Sequence, residues 1–376
     1  MNIIADNGVN KTLFSEAYDC NLKLICVGND NLKSKLLSRV NDKLKTVKIV
    51  SKPNEIVNNT KPGVTTTNFN HEINFQRDKD IIKSVNIDIY DSKFYTRFYI
   101  KNLLHTEAHE LFHMFSALVP GIMKNNKNIY YENGNLYYNC IGNYMVYKNN
   151  ESVELGLMFT ETLTDLLATI SLNTYSPHYY KRDTANKILR TNHFVGIENI
   201  SDYTFFTSMT RLALAAFNND PNVDYDSMIL NGQNLFFSRI KGRNGQILMK
   251  NDLLYGYMAD PLHTKREFEK IIGPESYDKF IYALDEVFKN ALNTNSIDKD
   301  KIKLYMKVLP NFLNLKLKKY KQLGIFNDDD IVKITSNFNK IWNEIKKEYG
   351  VYFTKKEINE FYSCNIKYNL IKGLTL

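Results

Sequence analysis

The stretch from Tyr95 to Leu118 contains neither proline nor glycine, and Leu103, Leu104, Leu111, Phe112 and Phe115 recur through it at helical intervals until Pro120 and Gly121 interrupt. One long helix is predicted there, carrying His105, His109 and His113 at four-residue spacing. The chain has only 7 histidines in 376 residues. Gathering three of them on one helix is costly for a plain core segment, because buried imidazoles need partners.

A helix of about 3.6 residues per turn puts His109 and His113 on one face, close enough to share a tetrahedral ion. From His105 to His113 the rise is about 12 Å, too long for all three to bind one ion. His105 is therefore read as lying beside the metal group or facing substrate, with a purely structural role as the alternative. Glu107 sits on a different face from the pair. His109-Glu110-Leu111-Phe112-His113 makes an HExxH pattern, in which Glu110 lies next to the first ligand but off the metal, placed to take a proton from an attacking water.

A catalytic zinc site needs a third protein ligand and an open fourth position. A second apolar helix, predicted over residues 155–172, holds Thr160-Glu161-Thr162-Leu163-Thr164-Asp165. Glu161 and Asp165 are one turn apart and can face the same neighbour. Glu161 is the candidate third ligand. Asp165 is the candidate acceptor for the free ring N–H of a ligand histidine, which would fix its tautomer. The alternative is that both carboxylates face solvent on an amphipathic helix.

These residues resemble the gluzincin zinc metallopeptidases, whose thermolysin-like members pair HExxH with a downstream glutamate in an ExxxD helix. The resemblance covers the two helices. It implies Zn2+ held by His109, His113 and Glu161, with Glu110 as catalytic base and Asp165 as the partner of His109. The reaction it implies is hydrolysis of a protein or peptide substrate. Some gluzincins stabilise the oxyanion with a tyrosine. Tyr144 and Tyr147 are assigned that role, with Tyr255 and Tyr257 as alternatives and His178, His193 and His263 available in place of the family's downstream histidine. A catalytically silent zinc-binding scaffold on the same fold is the second reading.

The expected fold is α+β and zincin-like, with an N-terminal α/β lobe that ends in the active-site helix and a mostly helical C-terminal lobe. The boundaries are drawn at residues 1–125, 126–295 and 296–376. In the first lobe, residues 21–28 form a short apolar run and 31–45 a helix. Strands are predicted at 47–50, 71–75 and 85–90, and a loop over 51–70 around Pro53, Pro62, Gly63 and the Thr65-Thr66-Thr67 run. Ile129 to Tyr138 reads as an aromatic hairpin turning at Asn133-Gly134. Near the end, Asp328, Asp329 and Asp330 cap a helix with Gly350 as its stop, and Thr354 with Glu357 opens a last one.

The net charge of +8 is attributed to a chain-wide bias toward Lys, Asn, Ile, Tyr and Phe. Lys316, Lys318, Lys319 and Lys321 are the candidate anion-binding cluster, but the few aromatic residues around them fit core positions, so no nucleic-acid partner is expected. Cys20, Cys26, Cys140 and Cys364 form no CxxC pair and read as reduced. No apolar run approaches the roughly 18 residues of a membrane span. The opening residues lack a signal pattern, which points to the cytoplasm, with export by another route as the alternative.

Overall fold

A four-stranded mixed sheet organises the N-terminal part. The computed structural model describes residues 3–5, 8–51, 63–69, 82–91, 99–123, 129–132, 135–140, 143–148, 151–176, 201–223, 236–294, 298–349 and 356. Elements β1 (Ile3–Ala5), α1 (Gly8–Ile25), α2 (Asp30–Lys43), β2 (Leu44–Ser51), β3 (Gly63–Phe69) and β4 (Ile82–Asp91) come first. The strand order is β1-β2-β4-β3. β1, β2 and β4 run parallel, and β3 lies antiparallel to β4 at the edge. In β4 the buried Val85, Ile87 and Ile89 alternate with half-buried Asn86 and Asp88, the period of two that a pleated strand imposes.

The histidine-bearing helix, α3 (Tyr99–Leu118), packs against α1, β3 and β4. Its Leu104, Ala108, Leu111, Phe112, Met114 and Phe115 are fully buried, and the Asn21 side chain of α1 donates to the Ala108 carbonyl at 2.7 Å. Residues 21–28 are thus no separate apolar segment: they finish α1 and turn out of it. The threonine run also departs from expectation. Thr65, Thr66 and Thr67 lie in β3 rather than in a loop, where β-branched side chains suit a pleated surface. The strand expected at 71–75 lies outside the described residues.

Four antiparallel strands follow in sequence order: β5 (Ile129–Glu132), β6 (Asn135–Cys140), β7 (Asn143–Lys148) and β8 (Glu151–Leu155). Asn133 and Gly134 lie outside the described residues. Helix α4 (Leu157–Tyr175) then packs on α1 and α3.

The remainder is mostly helical, with α5 (Ser201–Phe217), the short hairpin β9 (Arg239–Lys241) and β10 (Ile247–Met249), then α6 (Asp252–Met258), α7 (Pro261–Ile272), α8 (Ser276–Thr294), α9 (Lys299–Gln322) and α10 (Asp328–Tyr349). Its core is aromatic: Phe268 stacks on Phe312 at 4.8 Å and on Phe280 at 5.4 Å, each contact adding about 0.5–1.5 kcal/mol to simple burial. The cap of α10 is Asn327, one residue earlier than expected. Its Oδ1 accepts the Asp330 N–H, and Asp330 Oδ2 accepts the Asn327 N–H, at 2.9 and 3.0 Å. Gly350, Thr354 and Glu357 lie outside the described residues.

The lysine cluster of α9 is not one surface. Lys316 is 1% exposed. Its ammonium donates to the Ala216 and Asn218 carbonyls at 2.6 and 3.1 Å, closing the C-terminus of α5 where that helix has carbonyls to spare. Burial pushes its pKa down to about 8. Lys319 donates to the Lys270 carbonyl, and Lys321 pairs with Asp328. No described helix is long and apolar enough to cross a membrane.

Candidate metal centre

Helices α3 and α4 lie side by side, and each contributes donor atoms to one point. His113 Nε2 is 3.0 Å from His109 Nε2. From α4, Glu161 Oε2 lies 3.4 Å from His109 Nε2, and Glu161 Oε1 lies 3.6 Å from His113 Nε2. Zinc bonds of about 2.0–2.1 Å at tetrahedral angles set donor–donor edges of about 3.4 Å. The three measured edges scatter around that value, so the donor set fits a tetrahedral ion. Two neutral nitrogens and one carboxylate are also the donor chemistry a divalent transition metal takes. Burial is graded: the His113 side chain is 4% exposed, His109 14% and Glu161 19%, so one side of the group meets solvent.

Asp165, one turn beyond Glu161, has Oδ1 3.2 Å from His109 Nδ1. That leaves the Nε2 of His109 turned toward His113 and Glu161. The His105 ring nitrogen Nε2 lies 3.2 Å from Thr169 Oγ1 and 3.7 Å from Asp165 Oδ1, beside the carboxylate and away from the three donors. Burial lowers the pKa of both histidines. For His109 the hydrogen bonds to Asp165 and Glu161 outweigh burial and raise it well above the ordinary imidazole value. For His105 burial wins and its pKa falls. Glu110 is buried next to His109 on the same helix, and its carboxylate Oε2 accepts from Thr65 at 2.8 Å.

Known protein families, curated proteins and solved structures offer no match to this chain. The centre therefore rests on its own geometry.

The candidate tyrosines meet different partners. The Tyr144 hydroxyl donates to Asp278 Oδ1 at 2.7 Å, and the buried Lys265 ammonium donates to the other oxygen of that carboxylate. The side chain of Tyr147 lies outside the described residues, as do His178 and His193. Tyr255 meets the His263 ring edge-on at 4.9 Å, and His263 Nε2 pairs with Asp252 at 2.8 Å. Tyr257 reaches both α3 and α4. Its hydroxyl is 2.7 Å from Thr164 Oγ1 on α4 and also bonds Ser116 on α3. It thereby ties together the turns that follow Glu161 and His113.

Two residues that sequence reasoning passed over also hold the site. Thr65 sat in a segment read as loop. Asp285, on α8, reaches the start of α4, where Gly156 has φ 92° and no side-chain cap. A glycine accepts that left-handed conformation at little cost. Asp285 Oδ2 accepts the Gly156 N–H at 2.7 Å and Oδ1 accepts the Met158 N–H at 2.9 Å, serving as a cap from 129 residues away. Only the helical patterns of α4 and α8 are local signals, and neither says that they meet. Replacing Asp285 by Ala leaves two buried amides without acceptors and is expected to destabilise the fold by about 1–3 kcal/mol. Urea unfolding would detect this as a lower midpoint at unchanged slope.

Proposed function

We propose that this chain is a zinc-dependent metallopeptidase of the gluzincin type, built on a zincin-like α+β fold and acting on a protein or peptide substrate. The observation that carries the proposal is the convergence of His109, His113 and Glu161 from two helices at tetrahedral spacing, with Glu110 adjacent to the first ligand. A zinc ion held there would polarise the scissile carbonyl and acidify an attacking water. The residues do the rest. Asp165 takes the Nδ1 proton of His109 as a hydrogen bond and so keeps Nε2 available as a donor. Glu110 accepts the proton of the attacking water and returns it to the leaving amine.

A substrate carbonyl would approach from the solvent-facing side of the group. The mixed sheet and α3 would form one wall of the cleft and the helical C-terminal part the other. The test is direct. Purified protein titrated with zinc is expected to take up one ion per chain and then to cleave members of an unbiased peptide mixture, with cleavage stopped by a chelator and restored by zinc. Failure to bind zinc stoichiometrically would overturn the proposal.

A further inference from the structure

Thr65 belongs to β3, the edge strand, and reaches residue 110 from 45 positions away in sequence. Its hydroxyl oxygen lies 2.8 Å from Glu110 Oε2 and 2.9 Å from the Glu110 main-chain oxygen. A hydroxyl has one proton to give, so it serves one of these acceptors at a time, and both belong to the same residue. Thr65 and Glu110 are 8% and 5% exposed, which leaves little water to compete for either acceptor. The hydroxyl is also fixed from behind. Thr65 pairs with Ile87 in the β3–β4 ladder, and a β-branched side chain has few rotamers to explore.

We propose that Thr65 is a positioning residue for the general base: its hydroxyl holds Glu110 through Oε2 and leaves Oε1 to receive the proton. This rests on the peptidase reading of the site. A buried carboxylate on a three-bond stem has several rotamers, and proton transfer needs the correct one within hydrogen-bond reach of the water. The sheet supplies what the helix alone does not, a donor anchored outside α3. The alternative acceptor, the main-chain oxygen of residue 110 at 2.9 Å, belongs to the same residue, so the strand donor is tied to residue 110 in either case.

The experiment uses the full chain, zinc-loaded, as wild type, Thr65→Val, Thr65→Ser and Glu110→Gln. Valine keeps the shape and strand preference of threonine while removing the donor. Thr65→Val is expected to keep one zinc per chain and its KM while kcat falls about 10-fold, and Thr65→Ser to recover to within about 3-fold of wild type. Crystal structures of the zinc-loaded proteins give a readout that does not depend on turnover. In Thr65→Val the Glu110 carboxylate should leave its wild-type position, and in Thr65→Ser it should return. An unmoved Glu110 in Thr65→Val, an undiminished kcat, or equal losses in the Val and Ser variants would overturn the assignment. If wild type binds zinc but cleaves nothing, the peptidase reading fails, and the position of Glu110 in the two structures still decides what Thr65 does.

Discussion

Glu161→Ala is expected to abolish stoichiometric zinc binding while leaving the chain folded. Glu161 is the one candidate ligand supplied by α4, and its two oxygens face His109 and His113 separately. Without it, two imidazoles remain on one helix, and an ion would find two protein donors where a stable site offers three. Loss of a residue that merely orients a ligand weakens metal sites about 10–100-fold, so removing a ligand should exceed about 100-fold. Zinc content after dialysis, alongside a circular dichroism spectrum like that of wild type, would establish it. A variant that keeps one zinc per chain would place the third donor elsewhere and end the gluzincin assignment. Acidity should act in the same direction in wild type. The Asp165 and Glu161 carboxylates hold a proton on His109 to a pH well above the ordinary imidazole range, and zinc must displace it. Uptake should therefore release protons and weaken as pH falls through that raised pKa.

Glu110→Gln is expected to do the reverse, keeping the zinc and losing the hydrolysis. The amide is close in shape and can still accept from Thr65 through its oxygen, but it cannot take a proton from water. General-base catalysis contributes about 10²–10⁴-fold, and a fall of that size in kcat, with zinc content unchanged, is the expected result. Cleavage at the wild-type rate would sink the mechanism. A silent scaffold would look different again, with zinc bound by both proteins and peptides cut by neither.

The parts of this molecule that the sequence displays are the local ones. Helix α3 was visible because its apolar spacing and its two-residue stop at Pro120-Gly121 are contiguous, and the pairing of His109 with His113 follows from helix geometry alone. The placement of Glu161 beside them needed a second helix, whose pattern was also local. Two elements were misread for physical reasons. Helix α1 buries opposite faces near its end, Leu22 and Leu24 among them, so that end looked like an isolated apolar run. Strand β3 is introduced by Pro62 and Gly63, and those breakers masked the strand preference of three successive threonines. Lys316 shows the limit of reading charge from a string. A cation in a basic run became a buried helix cap because the carbonyls it serves are 98 and 100 residues away. Thr65 and Asp285 were beyond reach for the same reason, since each acts on a partner that no neighbouring residue announces.

The Asp285 cap also sets an order of events during synthesis. Gly156 leaves the ribosome 129 residues ahead of the carboxylate that receives its amide, a delay of about 6–26 s at roughly 5–20 residues per second. For nearly all of that interval the three candidate ligands already exist, yet the helix bearing Glu161 has no acceptor at its first turn. Until α8 emerges, a nascent chain therefore lacks the acceptor that caps the helix bearing Glu161.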